Sequence, residues 1–298
     1  MTSKSNVSSR PRLACEIAAD RIIAGRVAES GGVVEALAAR ELSPGSVVPD
    51  LTESNLVQRD AVFQNIRDTL GMISGRGRDV IAILPDACVR VVLLDFETLP
   101  VNPEEAEGVV RFRLKKSLPF DVDKAKVAYH AQTSGSGVRV IAAVSLLSVI
   151  EEYEAAFRAA GYSPGVVLPS MLAAIGAVQS ENPTLVVKVD TRTTSIAILD
   201  KQQLLLFRTL ENPRGVTITG EQLAEEVYPS VVFFQDTYDT NIEQIFVAGV
   251  SEMGDAAPAL QAQTGATVRD IVSGSQLGAA TGNLPRWRAA GVVGALLS

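Results

Sequence analysis

Apolar residues along this chain follow two rhythms, one of period two and one near 3.6. Leu13–Ala28 (LACEIAADRIIAGRVA) is a pair of apolar runs around a polar break at Ala18–Arg21, which predicts two strands and a tight turn. Val33–Ala39 predicts a further strand. Leu56, Ala61, Val62, Ile66 and Leu70 fall at helical spacing and predict a helix over Glu53–Ile73, with Gly71 and Gly75 closing it. Strands are expected at Val80–Leu84 and Val89–Phe96, around a Pro85-Asp86 turn. Pro103 followed by Glu104, Glu105 and Glu107 starts a helix where proline and negative charge suit the positive end of the macrodipole. Arg111, Arg113, Lys115 and Lys116 load its far end, and Pro119 stops it. Lys126–Thr133 and Val138–Ser145, joined by Ser134-Gly135-Ser136-Gly137, read as a hairpin. A helix at Ser148–Ala160 stopped by Gly161, a strand at Val166–Leu168 and a helix at Ser170–Gln179 complete this half.

A second half repeats the opening. Thr184–Val189, Ser195–Leu199 and Gln203–Leu210 predict a three-strand meander, followed by a helix over Thr219–Thr237 and a strand at Ile245–Gly249. A helix at Ala257–Gln263, a strand at Ala266–Ile271 and a helix at Pro285–Leu297 close the chain. Two halves that each open strand, turn, strand imply a duplicated α/β fold, with a ligand cleft where the two turns converge.

The run Pro103–Gln132 (PEEAEGVVRFRLKKSLPFDVDKAKVAYHAQ) adds a family resemblance. Lys116, Leu118, Pro119, Phe120, Asp123 and Tyr129 match the Lys-x-Ile/Leu-Pro-Phe helix end and following acidic strand of the type IV pilus assembly protein PilM family. That family belongs to the actin-like fold group together with FtsA. The segment Pro164–Pro169 after Gly161 resembles a second family stretch, and the likeness extends over nearly all of Leu13–Ser298. It implies a two-lobed, ribonuclease H-like duplicated fold with a small inserted α+β subdomain. The expected layout is a polar tail at 1–12, a first lobe at 13–180 with the insertion at about 85–161, and a second lobe at 181–298. The final helix, 285–297, is expected to pack back on the first lobe. The link Glu211–Ile218 (ENPRGVTI) is too short for the family's upper second-half subdomain, so that part is expected to be reduced.

Composition narrows the function classes. With 298 residues, 47% hydrophobic and 20% charged, the chain buries a full core. A net charge of −7 and a pI near 5.0 oppose non-specific nucleic-acid binding. The Ser-rich opening MTSKSNVSSRPR is expected to be disordered, being neither a secretory signal nor an anchor, and no apolar run reaches membrane-span length. Cys15 and Cys88 lie in apolar segments and are expected to be buried reduced thiols. The single His130 excludes a two-histidine metal site, and neither a Gly-x-Ser-x-Gly elbow nor a P-loop occurs. Phe233, Phe234 and Tyr238 are expected in the core, as is Trp287.

A phosphate-cradling turn needs free backbone N–H groups, hence glycine, with a hydroxyl and a magnesium-holding acid nearby. The family's first such turn maps to Glu16, Ile17, Ala18, Ala19 and Asp20: a longer acid, an alanine for the glycine, and no hydroxyl. The second maps to Asp190 with Thr193 and Thr194, again without glycine, and Arg192 in the loop. The adenine-facing turn retains only Gly249. All three erosions together predict a degenerate nucleotide cleft, with no cofactor expected unless ATP and magnesium still enter it.

The resemblance then implies a non-enzymatic cytoplasmic scaffold, peripheral to the inner membrane through its partners. Its role is to bind the cytoplasmic tail of a PilN-like membrane protein and link it to pilus or secretion motor components. Phe112, Leu118, Pro119, Phe120 and Tyr129 are the expected groove walls, with Arg111, Arg113, Lys115 and Lys116 facing outward. Two other readings stay open. One is an active or nucleotide-switching ATPase of the same fold, with Asp190 near Mg²⁺ and Thr193 and Thr194 on phosphate. The other is a cytoplasmic component of type II secretion resembling GspL.

Overall fold

The computed structural model describes residues 10–73, 75, 77–135, 137–214, 217–251, 253–279, 281–282 and 284–298. The first half runs β1 (Leu13–Ile17), β2 (Arg21–Val27), β3 (Val34–Glu41), α1 (Arg59–Ile73), β4 (Asp79–Leu84), β5 (Arg90–Phe96), α2 (Pro103–Leu114), β6 (Ala125–Ser134), β7 (Gly137–Leu146), α3 (Leu147–Ala159), β8 (Ser163–Pro169) and α4 (Ser170–Ile175). The second runs β9 (Thr184–Val189), β10 (Thr193–Asp200), β11 (Gln203–Glu211), α5 (Gly220–Tyr238), β12 (Gln244–Ala248), α6 (Met253–Thr264), β13 (Thr267–Asp270) and α7 (Ala290–Leu297).

Duplication is visible in the sheets. The first is ordered β3-β2-β1-β4-β8 and the second β11-β10-β9-β12-β13. In each, three strands form an antiparallel meander and two more add in parallel to its first strand. The insertion is a separate sheet, β5-β7-β6. Between Glu211 and Gly220 the described residues form no strand or α-helix, so the second half carries no comparable insertion there.

Side-chain alternation sorts these sheets into layers. Leu13, Cys15 and Ile17 of β1 pack outward with α1 and α3, while Ala14 points inward to a core shared with α4 and α7. Val186, Ala197 and Ala248 of the second sheet join that same central core, and Leu185, Val187 and Ile196 face α5 and α6 on the far side. The result is five layers, helix–sheet–helix–sheet–helix. Strands buried on both faces explain why β1 and β9 read as continuous apolar runs. In the insertion, Leu94, Val140, Ala142 and Val144 face α2, while Leu93 and Ile141 turn toward the central core.

Several expectations shift. The first helix starts at Arg59 rather than Glu53, because residues 50–56 are held as a loop by side chains. Asp50 accepts the Thr52 and Glu53 amides, and Glu152 of α3 accepts those of Asn55 (2.7 Å) and Leu56 (3.2 Å). α2 ends at Leu114, several residues before Pro119, where the Ser117 amide closes a tighter turn on Leu114. The C-terminal helix begins only at Ala290, after a short 3₁₀ turn at Arg286–Arg288. Residues 1–9 of the expected tail, Arg76 of the Gly75–Arg78 loop, Ser136 of the hairpin turn and residues 215–216 lie outside the described residues. Arg10 donates to the Ala295 carbonyl (2.9 Å) and to Ser298, so the end of the expected tail is fastened to α7.

Cys15 and Cys88 are buried and free, and burial pushes the Cys88 thiol up to about 12. Phe234 is buried against Tyr238. Phe233, expected in the core, is 47% exposed with Arg208 stacked over its ring, because it falls on the solvent side of α5. Trp287 is half-buried beneath Arg288. No helix among the described residues is long and apolar enough to cross a membrane.

Candidate functional site

The two turns predicted to face a ligand lie at matching ends of the two sheets and have the same closure. The Ala18 amide donates to the Arg21 carbonyl (2.8 Å) in the first, and the Asp190 amide to the Thr193 carbonyl (2.8 Å) in the second. No residue in either turn adopts a positive φ. The Thr191 amide is also taken, by the Asp190 carboxylate at 2.8 Å. The amides of Ala18, Asp190 and Thr191 are thus engaged within the turns and not offered to a phosphate.

Between the turns lies a buried charge cluster. Glu16 on β1, Asp86 just after β4 and Asp190 just after β9 supply three carboxylates, all buried. Lys188, on β9, reaches into their midst: its Nζ is 3.5 Å from Glu16 Oε1 and 3.4 Å from Asp190 Oδ2. Arg21, also buried, pairs with Asp20 at 2.8 Å and stands 4.0 Å from Asp190. Ser170 donates to Glu16, Ser195 to Asp86 (2.9 Å), and the Met171 amide to the other Asp86 oxygen (2.8 Å).

The electrostatics follow from this packing. Burial alone would lower the Lys188 ammonium, but Asp190, Glu16 and Asp86 outweigh it and hold its pKa above the ordinary lysine value. For Asp190 burial acts upward, and Lys188, Arg21 and the Thr191 amide reverse it, leaving the carboxyl below its usual range. Asp86 is the opposite case, since burial prevails over Lys188 and its two donors and raises it.

The fold thus brings together Glu16, Ala18, Asp20, Asp190, Thr193 and Thr194. It adds four residues that sequence reading passed over: Lys188, Arg21, Asp86 and Ser195. A legible signal existed for Lys188, since an ammonium inside the apolar strand TLVVKV requires buried acids to pair with. Gly249 is clamped rather than open. Its amide donates to the Trp287 carbonyl (2.9 Å), its φ is +81°, and a Cβ there would lie 1.7 Å from the Val189 carbonyl oxygen.

These residues do not fit a magnesium nucleotide at the centre. A cation held by Glu16 and Asp190 would have to displace the buried Lys188 ammonium from both of them. Ala18 carries a Cβ where the backbone would approach phosphate, and the glycine turn is filled by its own neighbours. An open cleft of about 560 Å³ lies beside the second turn, lined by Asp50, Asp86, Arg90, Thr191, Arg192 and Asn212 among others.

Of the predicted groove residues, Leu118, Phe120 and Tyr129 are half-buried on the small core of the insertion, beside Val110 and Leu114. Pro119 is exposed between them. Phe112 stands apart, 67% exposed on the outer face of α2. Arg111, expected to face outward, folds back to pair with Glu107 (2.8 Å) and to donate to the Val122 carbonyl (3.0 Å).

No protein-family model and no curated protein matches the sequence. Solved structures do match the fold. A chain of the PilM-PilN type IV pilus biogenesis complex superposes with a TM-score of 0.76 at 19% identity, over 96% of this chain and 97% of that one. The cytoplasmic domain of EpsL, an inner membrane component of the type II secretion system of Vibrio cholerae, gives 0.51 at 10% identity over 79% and 80%. The ethanolamine utilization protein EutJ from Carboxydothermus hydrogenoformans gives 0.52 at 13% identity over 96% and 89%. A Bacteroides thetaiotaomicron protein with an actin-like ATPase fold gives 0.51 at 11% identity over 86% and 89%. The fold is the actin-like one expected from the sequence.

Proposed function

We propose that this protein is a non-enzymatic scaffold of the PilM type, working in the cytoplasm within the inner-membrane platform of a type IV pilus or related secretion system. One observation carries the non-enzymatic part: the Lys188 ammonium already occupies the space between Glu16 and Asp190, the acids that would otherwise be available to hold a cation. An internal ammonium costs no binding equilibrium and turns over nothing, so the centre serves as a fixed strut between the lobes. The likeness to a PilM-PilN complex supports the partner assignment, a short cytoplasmic tail of a PilN-like membrane protein.

On this reading the tail lies between the first-lobe core and the insertion at about 85–161. Leu118, Pro119, Phe120 and Tyr129 offer apolar contacts, and the tail orders as it binds. Titration calorimetry tests both parts with one preparation. Mg-ATP is expected to give no saturable heat, and a PilN-like tail peptide is expected to bind, with Phe120→Ala weakening it about tenfold or more. Micromolar Mg-ATP binding would overturn the strut. Absence of peptide binding would overturn the partner.

A rival reading, a nucleotide-responsive switch, has one observation in its favour. Thr191 Oγ1, Thr194 Oγ1 and Glu16 Oε2 are buried without hydrogen-bond partners among the described residues. The same Mg-ATP titration decides it. The EpsL likeness keeps type II secretion as the alternative setting for the scaffold.

A further inference from the structure

α2 buries one apolar face and leaves a phenyl exposed on the other. Ala106, Val110 and Leu114, at i, i+4 and i+8, are buried on the insertion's sheet. On the opposite face Phe112 is 67% exposed, one turn from Gly108, around whose missing Cβ nothing lies within 4 Å, and Val109, 37% exposed, stands on the flank between the two faces. A lone exposed side chain needs no explanation, whereas an exposed phenyl one turn from an open glycine forms a knob beside a hole. The outer face is also ordered by charge. Glu104 and Glu105 stand exposed at its start, and Lys115 and Lys116 stand exposed at and just past its end.

We propose that this face pairs two copies of the chain, α2 against α2, antiparallel about a two-fold axis that passes between Gly108 and Phe112 on the outer face. Such a pairing is self-complementary. It sets Phe112 of each copy over Gly108 of the other, and places Glu104 and Glu105 opposite Lys116 and Lys115. A parallel pairing would instead stack acid on acid and base on base. Lys115 is free to join, since its pair with Asp123 at 3.4 Å is exposed and worth little. The helix is about 18 Å long, so the contact is small and the dimer weak and reversible. No other protein takes part, which separates this proposal from tail capture.

Sedimentation equilibrium of the full chain across a concentration series tests it. The wild type is expected to show a monomer–dimer equilibrium that weakens with salt, and Phe112→Ala to weaken it about tenfold or more. Two charge variants sharpen the result: Glu104→Lys with Glu105→Lys, and Lys115→Glu with Lys116→Glu. Each alone should be monomeric, because its outer face is then of one sign, and an equimolar mixture should form a heterodimer. Unchanged circular dichroism and melting establish that the variants fold. A wild type monomeric at every concentration, a dimer that survives both charge variants singly, or a mixture that stays monomeric would overturn the proposal.

Discussion

An ammonium at the end of an apolar strand is tolerable only if its desolvation is met by nearby anions, and Lys188 has three. Removing the ammonium leaves three buried carboxylates with Arg21, 4.0 Å from Asp190, as the cation that remains in the cluster. Lys188→Met is therefore expected to destabilise the protein by roughly 3–5 kcal/mol at pH 7. The pH dependence has a definite sign. In the wild type the depressed Asp190 contributes stability present above the unfolded carboxylate value of about 3.9, lost as pH falls through its lower folded value. The raised Lys188 contributes below about 10.4 and loses that contribution only at strongly alkaline pH. In the variant Asp86, already raised by burial, and Asp190 both lose the Lys188 ammonium that lowers them, so protonation at lower pH relieves the variant more than the wild type. Urea denaturation from pH 7 to pH 5 should show the gap between wild type and variant narrowing; a widening gap would refute the assignment. The acid of each turn was legible in Glu16 and Asp190. Asp86 was passed over because a Pro-Asp pair after a strand reads first as a turn.

At the scale of elements, the two central helices approach more closely than side chains allow. A Cβ on Gly294 of α7 would stand 2.1 Å from the Ala173 carbonyl oxygen of α4, and one on Gly176 would stand 2.5 Å from the Gly294 carbonyl. Gly291 likewise leaves room for Glu16, whose Oε2 would lie 2.7 Å from a Cβ there. The longer acid of the first turn is thus accommodated by a glycine on a distant helix. Because the obstacle at Gly294 is backbone, relief requires moving a helix. Gly294→Ala is expected to cost about 1–3 kcal/mol despite its favourable helix propensity, read as a lower urea midpoint at unchanged m-value. An unchanged or raised midpoint would show that the crossing is looser than described. Nothing in the pattern AAGVVGALLS marks these glycines as contact points, since both read as weak spots in a short apolar helix.

Across the whole molecule, the insertion reaches over to the second half. The Gln132 amide of β6 donates to the Leu204 carbonyl (2.7 Å) and accepts the Leu204 amide (3.2 Å), imitating a strand partner for the edge of β11. Arg139 of β7, gripped by Asp95, donates to the Tyr238 hydroxyl at 2.8 Å. Together with Lys188 and the shared central core, these contacts join three bodies into one unit. Gln132→Ala should lower hydrogen-exchange protection at Leu204 by roughly tenfold, about one hydrogen bond, while amides in β9 keep theirs. Equal protection in both proteins would mean that the side chain does not cap the edge.

The order of strands and helices, the two hairpin turns and the duplicated layout were determined by the sequence itself. They rest on local periodicity and turn chemistry, which act over a few residues at a time. That neither hairpin turn carries a glycine was equally readable, for it is a matter of which residues stand there. The identity of the replacement was not: that Lys188 would meet Glu16 and Asp86, that Gly291 would leave space for Glu16, and that Gln132 would cap Leu204 were decided by the docking of sheets far apart in the chain. Such contacts follow from how layers bury both faces of their strands, a global packing condition that no local run of residues contains.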